Sequence, residues 1–365
     1  MSTPSPLHAV HEALGASFTD FAGWTMPLRY GSQLAEHEAV RTAAGLFDLS
    51  HMGEIVLTGP DAAATLDYAL VGKLSAVKPG RARYTMVCGG DGGVLDDLVV
   101  YRLADDEYMV VANAANAAAV ADALAERAAG FDVEVADRSA ATALIAVQGP
   151  RSAAILAQVT DADLGALKYY ASAPAVAAGV DVLLARTGYT GEDGFELYVA
   201  GERAPEVWRA LTDAGAAHGL VPCGLACRDT LRLEAGMPLY GNELDATRTP
   251  FDAALGRVVK FDKGDFVGRA ALERRRDADV PEKVLVGLVA EGRRSPRHGY
   301  PVLAADGTEV GTVTSGSLSP TLGHPIALAY VPTAVSAPGT ALSVDIRGTA
   351  VPVEVVALPF YQRPA

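Results

Sequence analysis

Cysteine is scarce in this chain: Cys88, Cys223 and Cys227 are the only three among 365 residues. Three thiols make no disulfide framework. Cys223 and Cys227, even on one helix face, would supply half of a tetrahedral zinc site. No HExxH or other histidine cluster completes one, so the cysteines read as small buried thiols and no metal is expected. Long apolar runs are missing too, and none reaches the ~20 residues that a membrane helix needs. The opening MSTPSPLHAVHEALG has no basic and apolar signal pattern and no Arg-rich presequence, which predicts a cytoplasmic protein without a membrane partner. Positive charge is in deficit, with a formal net charge of -14. An acidic chain gains nothing from counterion release, so no nucleic acid is expected as a partner. The common catalytic engines are absent as well. There is no GxxxxGK[ST] and no GxGxxG after a strand, and no GxSxG elbow. GGDGG precedes a strand, not a helix, and offers no helix N-terminus to a phosphate.

What is present is an ordinary globular composition, 50% hydrophobic and 20% charged, long enough for about two to three domains. The early stretch FAGWTMPLRYG reads as an aromatic-rich loop, followed by a helical run, SQLAEHEAVRTAAG, and a strand, GEIVLTG. From there the chain repeats itself. LTGPDAAATLDYAL from Leu57 resembles VQGPRSAAILAQVT from Val147, an offset of about 90 residues. VVYRLADDEYMVVANAANAAAVADAL resembles VLLARTGYTGEDGFELYVAGERAPEVWRAL, each a strand, a polar loop, a strand and a helix. The expectation is an α+β fold in which two similar α+β units pack as a pseudo-symmetric pair, with a site at the repeat interface. Residues 265 to 283 read as a charged helix and a linker containing Pro281, with Arg274 to Arg276 on a solvated face. Beyond them, short strands with frequent Gly and Pro suggest a small β-barrel or sandwich. The expected division is 1–278 and 279–365.

GGDGGVLDDLVVYRL carries the first candidate site. On a strand Asp97, Val99 and Tyr101 face one way, and Asp96, Leu98 and Val100 the other. Both faces are apolar beyond the acids, and a buried carboxylate is costly unless paired. The bland alternative puts both acids in the turn, capping backbone N–H groups. In RTGYTGEDGFELYV, Glu196 stands between Phe195 and Leu197, where a solvated carboxylate is not expected. In GLACRDTLRLEAGMPLYGNELD, Arg228 and Asp229 open a helical stretch capped at Gly236. Arg228 could pair with a carboxylate such as Glu196, and a structural ion pair is the plain alternative.

FAGWTMPLRY, GLFDLSHMGE, GGVLDDLVVY, RTGYTGEDGFEL, CRDTLRLEAGMPLYGNELD and GTVTSGSLSPTLG, in this order, resemble the glycine cleavage T-protein (aminomethyltransferase) family. The resemblance extends from about residue 7 to residue 361. It implies two interlocked α+β parts forming a folate pocket, plus a C-terminal β-barrel domain. It implies transfer of an aminomethyl carbon from the dihydrolipoyl arm of a lipoylated H-protein to tetrahydrofolate, the co-substrate. The products would be 5,10-methylenetetrahydrofolate, ammonia and dihydrolipoyl H-protein.

By the same resemblance Asp97 is the catalytic acid of the pair, stabilising developing positive charge and orienting the folate amines; Asp96 becomes the turn residue. Glu196 would accept the pterin N–H donors, and Arg228 would hold Glu196 or bind a ligand acceptor. Met52, Tyr84, Val99, Tyr101, Asn113, Tyr170 and Tyr189 match the pocket walls, where aromatic rings suit a pterin and a benzoyl group. Tyr361 and Arg363 match a closing segment more loosely. Arg257 departs from the family, which often has an aromatic residue there. Arg293, Arg294 and Arg297 could receive an acidic H-protein. Relatives with this fold include flavin-fused dehydrogenases, whose fingerprint is absent here, and an iron–sulfur assembly protein, whose KGCYxGQE-like cysteine is replaced by GYTGEDG. A non-catalytic folate-binding module is the remaining alternative; it would not need Asp97.

Overall fold

A computed structural model describes residues 2–278 and 282–364. The expected boundary at 278/279 and the linker residue Pro281 fall at 279–281, outside the described residues. The chain opens with β1 (Thr3–Pro4), α1 (His8–Ala13), β2 (Ser17–Phe21), β3 (Trp24–Arg29), α2 (Gln33–Thr42) and β4 (Ala44–Asp48). The FAGW stretch is therefore a hairpin, not a loop. Ala22 and Gly23 both take positive φ at its tip, the two-residue geometry that matches strand twist. Helix α2 starts where Ser32 accepts the Ala35 amide through its hydroxyl, an N-cap.

The repeat read in the sequence is a repeat of elements. Its first copy is β5 (Gly53–Thr58), α3 (Ala62–Ala69), β6 (Arg81–Cys88), β7 (Val94–Arg102), β8 (Glu107–Ala112), α4 (Ala117–Arg127) and β9 (Glu134–Asp137). The second is β10 (Thr142–Gln148), α5 (Ser152–Leu156), β11 (Ser172–Ala177), β12 (Val180–Ala185), β13 (Gly194–Ala200), α6 (Ala204–Gly215) and β14 (Leu220–Cys223). The sheets run β6-β7-β8-β5-β9 and β11-β12-β13-β10-β4-β14. They have the same order, with β4 inserted between β10 and β14 in the second. Helix α7 (Leu225–Glu234) and helix α8 (Arg269–Asp277) follow. The chain ends in a closed six-stranded barrel, β15 (Lys283–Ala290), β18 (Pro325–Pro332), β17 (Glu309–Leu318), β16 (Pro301–Leu303), β19 (Ala341–Asp345) and β20 (Ala350–Val356) in order around it. This is an α+β fold with a C-terminal β-barrel, as expected.

Two compact units divide the chain: residues 1–85 with 98–228, and residues 86–97 with 229–365. In the first, Leu46, Ile145, Val147, Phe195, Leu197 and Trp208 centre one buried core. Alternate residues of β10 and β13 supply it because successive side chains on a strand point to opposite faces. In the second, Leu288, Val302, Val313, Ala329, Val344 and Val355 fill the barrel. The solvated helix face expected at Arg274 to Arg276 needs one correction. Arg275 forms an ion pair with Asp252, and only Arg274 and Arg276 are exposed.

The second unit also explains the GGDGG turn. A Cβ on Gly93 would lie 1.9 Å from the Ala246 carbonyl oxygen, and one on Gly268 would lie 2.6 Å from the Gly89 carbonyl oxygen. Val94 N donates to Arg248 O at 2.9 Å. The glycines are small because another backbone lies against them, and this contact seats the segment that carries Asp96 and Asp97. Gly93→Ala should destabilise the protein by about 2–4 kcal/mol, as overpacking against rigid backbone does. Gly90→Ala, whose Cβ would meet nothing within 4 Å, should stay within about 0.5 kcal/mol. Urea unfolding of the two variants checks this contrast.

Candidate functional site

Glu196 lies on β13, between buried Phe195 and Leu197, and is itself partly accessible. Its Oε2 accepts the Thr187 hydroxyl, and the Tyr101 phenol at 3.3 Å. Tyr101 also lies 2.8 Å from Thr187 Oγ1, and the Tyr198 phenol donates to Tyr101 at 3.3 Å. Burial raises the Glu196 carboxyl above the usual carboxylate range, while the Thr187 hydroxyl, the charge of Arg228 and the Tyr101 phenol pull it back. Burial, then the neighbouring Glu196, pushes Tyr101 well up; burial, then Tyr101, does the same to Tyr198. Both phenols therefore remain O–H donors.

The loop that presents Thr187 and Tyr189 is built on Gln148, at the end of β10. Gln148 Nε2 donates to Thr187 O at 3.0 Å, and the Thr190 hydroxyl donates to Gln148 Oε1 at 2.9 Å. A Cβ on Gly188 or Gly194 would come within 2.1 or 2.4 Å of the same amide, so RTGYTGEDG has glycine where Gln148 passes. Arg186 holds Asp193 with two hydrogen bonds at 2.9 and 2.7 Å, and the buried Arg41 holds Glu192 at 2.9 Å. A bidentate pair and an enclosed pair of this kind fix geometry as well as charge.

Arg228 sits in the first turn of α7, which begins at Leu225, three residues before the expected start. Gly236 takes a φ of 66° past its end, the expected C-terminal cap. The Arg228 guanidinium stacks 4.6 Å from the Tyr189 ring centre, a cation–π contact. Among the described residues, Thr187 and Tyr101 are the hydrogen-bond partners of Glu196, and Arg228 acts on it through charge. Tyr170 takes a φ of 58°. Its left-handed backbone is fixed by bonds from Tyr170 N to Arg186 O and from Ala82 N to Tyr170 O, at 3.0 and 2.9 Å, and its phenol lies in the field of Tyr101.

The first unit thus brings Tyr101, Tyr170, Tyr189, Glu196 and Arg228 together. Met52, Tyr84, Val99 and Asn113 belong to the same unit, each partly accessible. Asp97 and Tyr361 belong to the second. There Asp97 is partly accessible, and Asp96 is fully buried in β7. The reading of Asp96 as a turn residue is thus corrected. The turn acid is Asp91, which accepts the Gly93 amide at 3.1 Å. Tyr240, in the field of Asp96, Asp245 and Asp97, donates to Val94 O at 3.2 Å. It was missed although it lies inside MPLYGNELD. Tyr361 N bonds Glu234 O at 2.8 Å, while Arg363 and Arg257 are exposed.

Two further residues were missed, both in SHMGE. His51 is buried with its Nδ1 unpartnered and its ring edge-on to Phe21. Burial and then the Arg228 charge hold it down to about 4, against a smaller opposing pull from Asp48. Glu54 is buried with both carboxyl oxygens unpartnered, and burial, then Asp137, raises it to about 9. Both side chains are neutral near pH 7. The signal was available, since two ionisable residues stand within two positions of Met52, which the family resemblance singles out. The cysteine expectation also changes. Cys223 ends β14 and Cys227 lies in α7, not on one helix face; both are buried. With Glu36 they form a group of possible ligand atoms within 4.8 Å. A metal fits it poorly, because the Glu36 carboxylate already accepts Tyr30 N and Gly224 N at 2.8 and 2.9 Å. Burial also keeps the Cys223 thiol protonated.

Comparison with known proteins adds the family. The family described as GCVT N-terminal domain matches residues 7–263, and Glycine cleavage T-protein C-terminal barrel domain matches residues 283–362. An aminomethyltransferase of Streptomyces coelicolor is 68% identical over 98% of this chain and 97% of its own. One of Saccharopolyspora erythraea is 65% identical over the full length of both. The crystal structure of glycine cleavage system aminomethyltransferase T from Bartonella henselae superposes with a TM-score of 0.93 at 38% identity, covering 100% of this chain and 99% of that one.

The depressed His51 makes a pH prediction. The unfolded chain takes up this proton near pH 6.5 and the folded chain near pH 4. The stabilisation by neutral His51 is therefore complete above about pH 6.5 and is lost as pH falls toward 4. His51→Gln should remove this contribution, so that between pH 7 and 4.5 the variant loses less stability than the native protein by about 2–3 kcal/mol. Urea unfolding at pH 7, 5.5 and 4.5 measures it.

Proposed function

Because the chain belongs to the glycine cleavage T-protein family, we infer that it is an aminomethyltransferase. It takes the aminomethyl carbon from the dihydrolipoyl sulfur of an H-protein and gives it to tetrahydrofolate. The other products are ammonia and dihydrolipoyl H-protein. The observation that carries this is the family match over both parts of the chain, together with relatives aligned over nearly their whole length. The division at 278/279 into a folate-binding region and a barrel domain is part of this reading. It is supported by family matches that end at 263 and resume at 283.

Tetrahydrofolate fits the residues present. It offers neighbouring N–H donors, and Glu196 offers an acceptor whose recorded hydrogen bonds both fall on Oε2, which leaves Oε1 as the proposed acceptor for the ligand. Tyr101, Tyr170 and Tyr189 supply aromatic surface around that carboxylate, and Met52, Tyr84, Val99 and Asn113 complete the proposed wall. Arg228 keeps positive charge beside Glu196 and favours its ionised form. Asp97 is the proposed catalytic group. Positive charge develops on an iminium-like carbon–nitrogen unit as the carbon leaves the dihydrolipoyl sulfur and ammonia and bonds to folate nitrogen, and a fixed carboxylate stabilises it without reorganising. Tyr361 is proposed to close over the folate tail. The exposed Arg293, Arg294 and Arg297 suit an acidic face of the H-protein. Three cysteines held as thiols, outside any disulfide, accord with a reducing, cytoplasmic location.

The test is turnover of aminomethyl-loaded H-protein with tetrahydrofolate, following methylenetetrahydrofolate and ammonia together. Asp97→Asn should lower kcat about 10²–10⁴-fold while folate still binds. Folate binding without turnover in the native protein would leave a non-catalytic module. Full activity in Asp97→Asn would remove Asp97 from the chemistry.

A further inference from the structure

The hydroxyls behind Glu196 form a chain with a direction. Thr187 gives its single proton to Glu196 Oε2, so the bond between Thr187 and Tyr101 has Tyr101 as donor. The Tyr101 proton is then shared between Thr187 and Glu196 Oε2. Tyr198 in turn donates to Tyr101. Every proton points toward Glu196. Thr187, Tyr101 and Tyr198 are each at most 5% exposed, so water does not replace these donors, whereas Glu196 is partly accessible.

We propose that Thr187 and Tyr198 are positioning residues for Glu196: with Tyr101 they form a one-way donor chain that locks the carboxylate's rotamer, occupies Oε2 and presents Oε1 as an acceptor for the ligand's N–H groups. This rests on the reading of Glu196 as a folate-binding residue. Donors on a carboxylate favour its charged form. The groups facing this cluster are Arg228 beside Glu196, Tyr170 beside Tyr101, and Glu54 in the field of Tyr198. Arg228 assists the chain. Enclosure opposes it, so Glu196 depends on its hydroxyl donors to remain an acceptor as pH falls.

The experiment measures binding of 5-methyltetrahydrofolate, a stable probe, to the full chain by calorimetry between pH 5 and 8.5. Native protein should lose affinity as pH falls and Glu196 takes up a proton. Thr187→Val keeps the shape and removes the hydroxyl. A hydrogen bond to a charged group is strong enough that its loss should move the midpoint of that profile up by about one pH unit. Thr187→Ser should restore the native midpoint. Tyr198→Phe should move it in the same direction by less, and carries the test if Thr187→Val does not fold. Glu196→Gln should bind weakly with a flat profile. Native midpoints in both Thr187→Val and Tyr198→Phe, with Glu196→Gln impaired, would overturn the donor chain and leave the folate reading standing. Native binding and an unchanged profile in Glu196→Gln would overturn the folate role of Glu196, and the chain with it.

Discussion

A carboxylate removed from water has to be met by donors, and each unit of this protein is tied together where that requirement is satisfied. Asp48, at the end of β4, accepts the Ser5 hydroxyl at 2.6 Å, His11 Nε2 at 2.8 Å and the Ser50 amide at 2.9 Å. One acid thereby joins the N-terminal strand, α1, β4 and the turn that leads to Met52. Glu36 likewise joins α2 to the end of β3 and to the start of the segment bearing Arg228. In the second unit, Glu234 at the end of α7 accepts the hydroxyls of Ser319 and Thr321 and the Thr321 amide. Breaking such a set leaves a charge buried without partners, which costs far more than an exposed pair. Glu196 follows the same rule but is partly accessible, and its recorded hydrogen bonds fall on Oε2 alone.

Elements with strong local signals were legible in the sequence. The Gly-Pro turns, the Ala-rich helices and the alternating strands placed the repeat, and the structure gives both copies the same element order. The short strands beyond residue 283 close into a barrel. Glu196 stood out because a carboxylate interrupts an aromatic strand. Features set by distant backbone were not legible. GGDGG looked like a glycine turn before a strand, yet Gly93 answers the Ala246 carbonyl, about 150 residues away in sequence. Asp96 looked like a turn acid, although β7 carries it into the interior. The family resemblance named candidate pocket walls but not Thr187, Tyr198 or Gln148, because their hydrogen bonds depend on donor direction, which no sequence pattern encodes.

His51 and Glu54 stand three positions apart, and burial makes each neutral from the opposite side of its titration. Folding expels a proton from His51 between about pH 4 and pH 6.5, where the unfolded imidazole would be charged. Folding takes up a proton at Glu54 between its ordinary value of 4.5 and about pH 9, where the unfolded carboxyl would be ionised. Where the two ranges overlap, the proton released by one residue offsets the proton captured by the other, and the segment folds with little net exchange with the solvent. Its proton inventory is balanced in mildly acidic water and becomes a net uptake above that range. The turn at His51 and the start of β5 thus carry opposed titrations, so that the folding of this segment depends little on pH where the two offset each other.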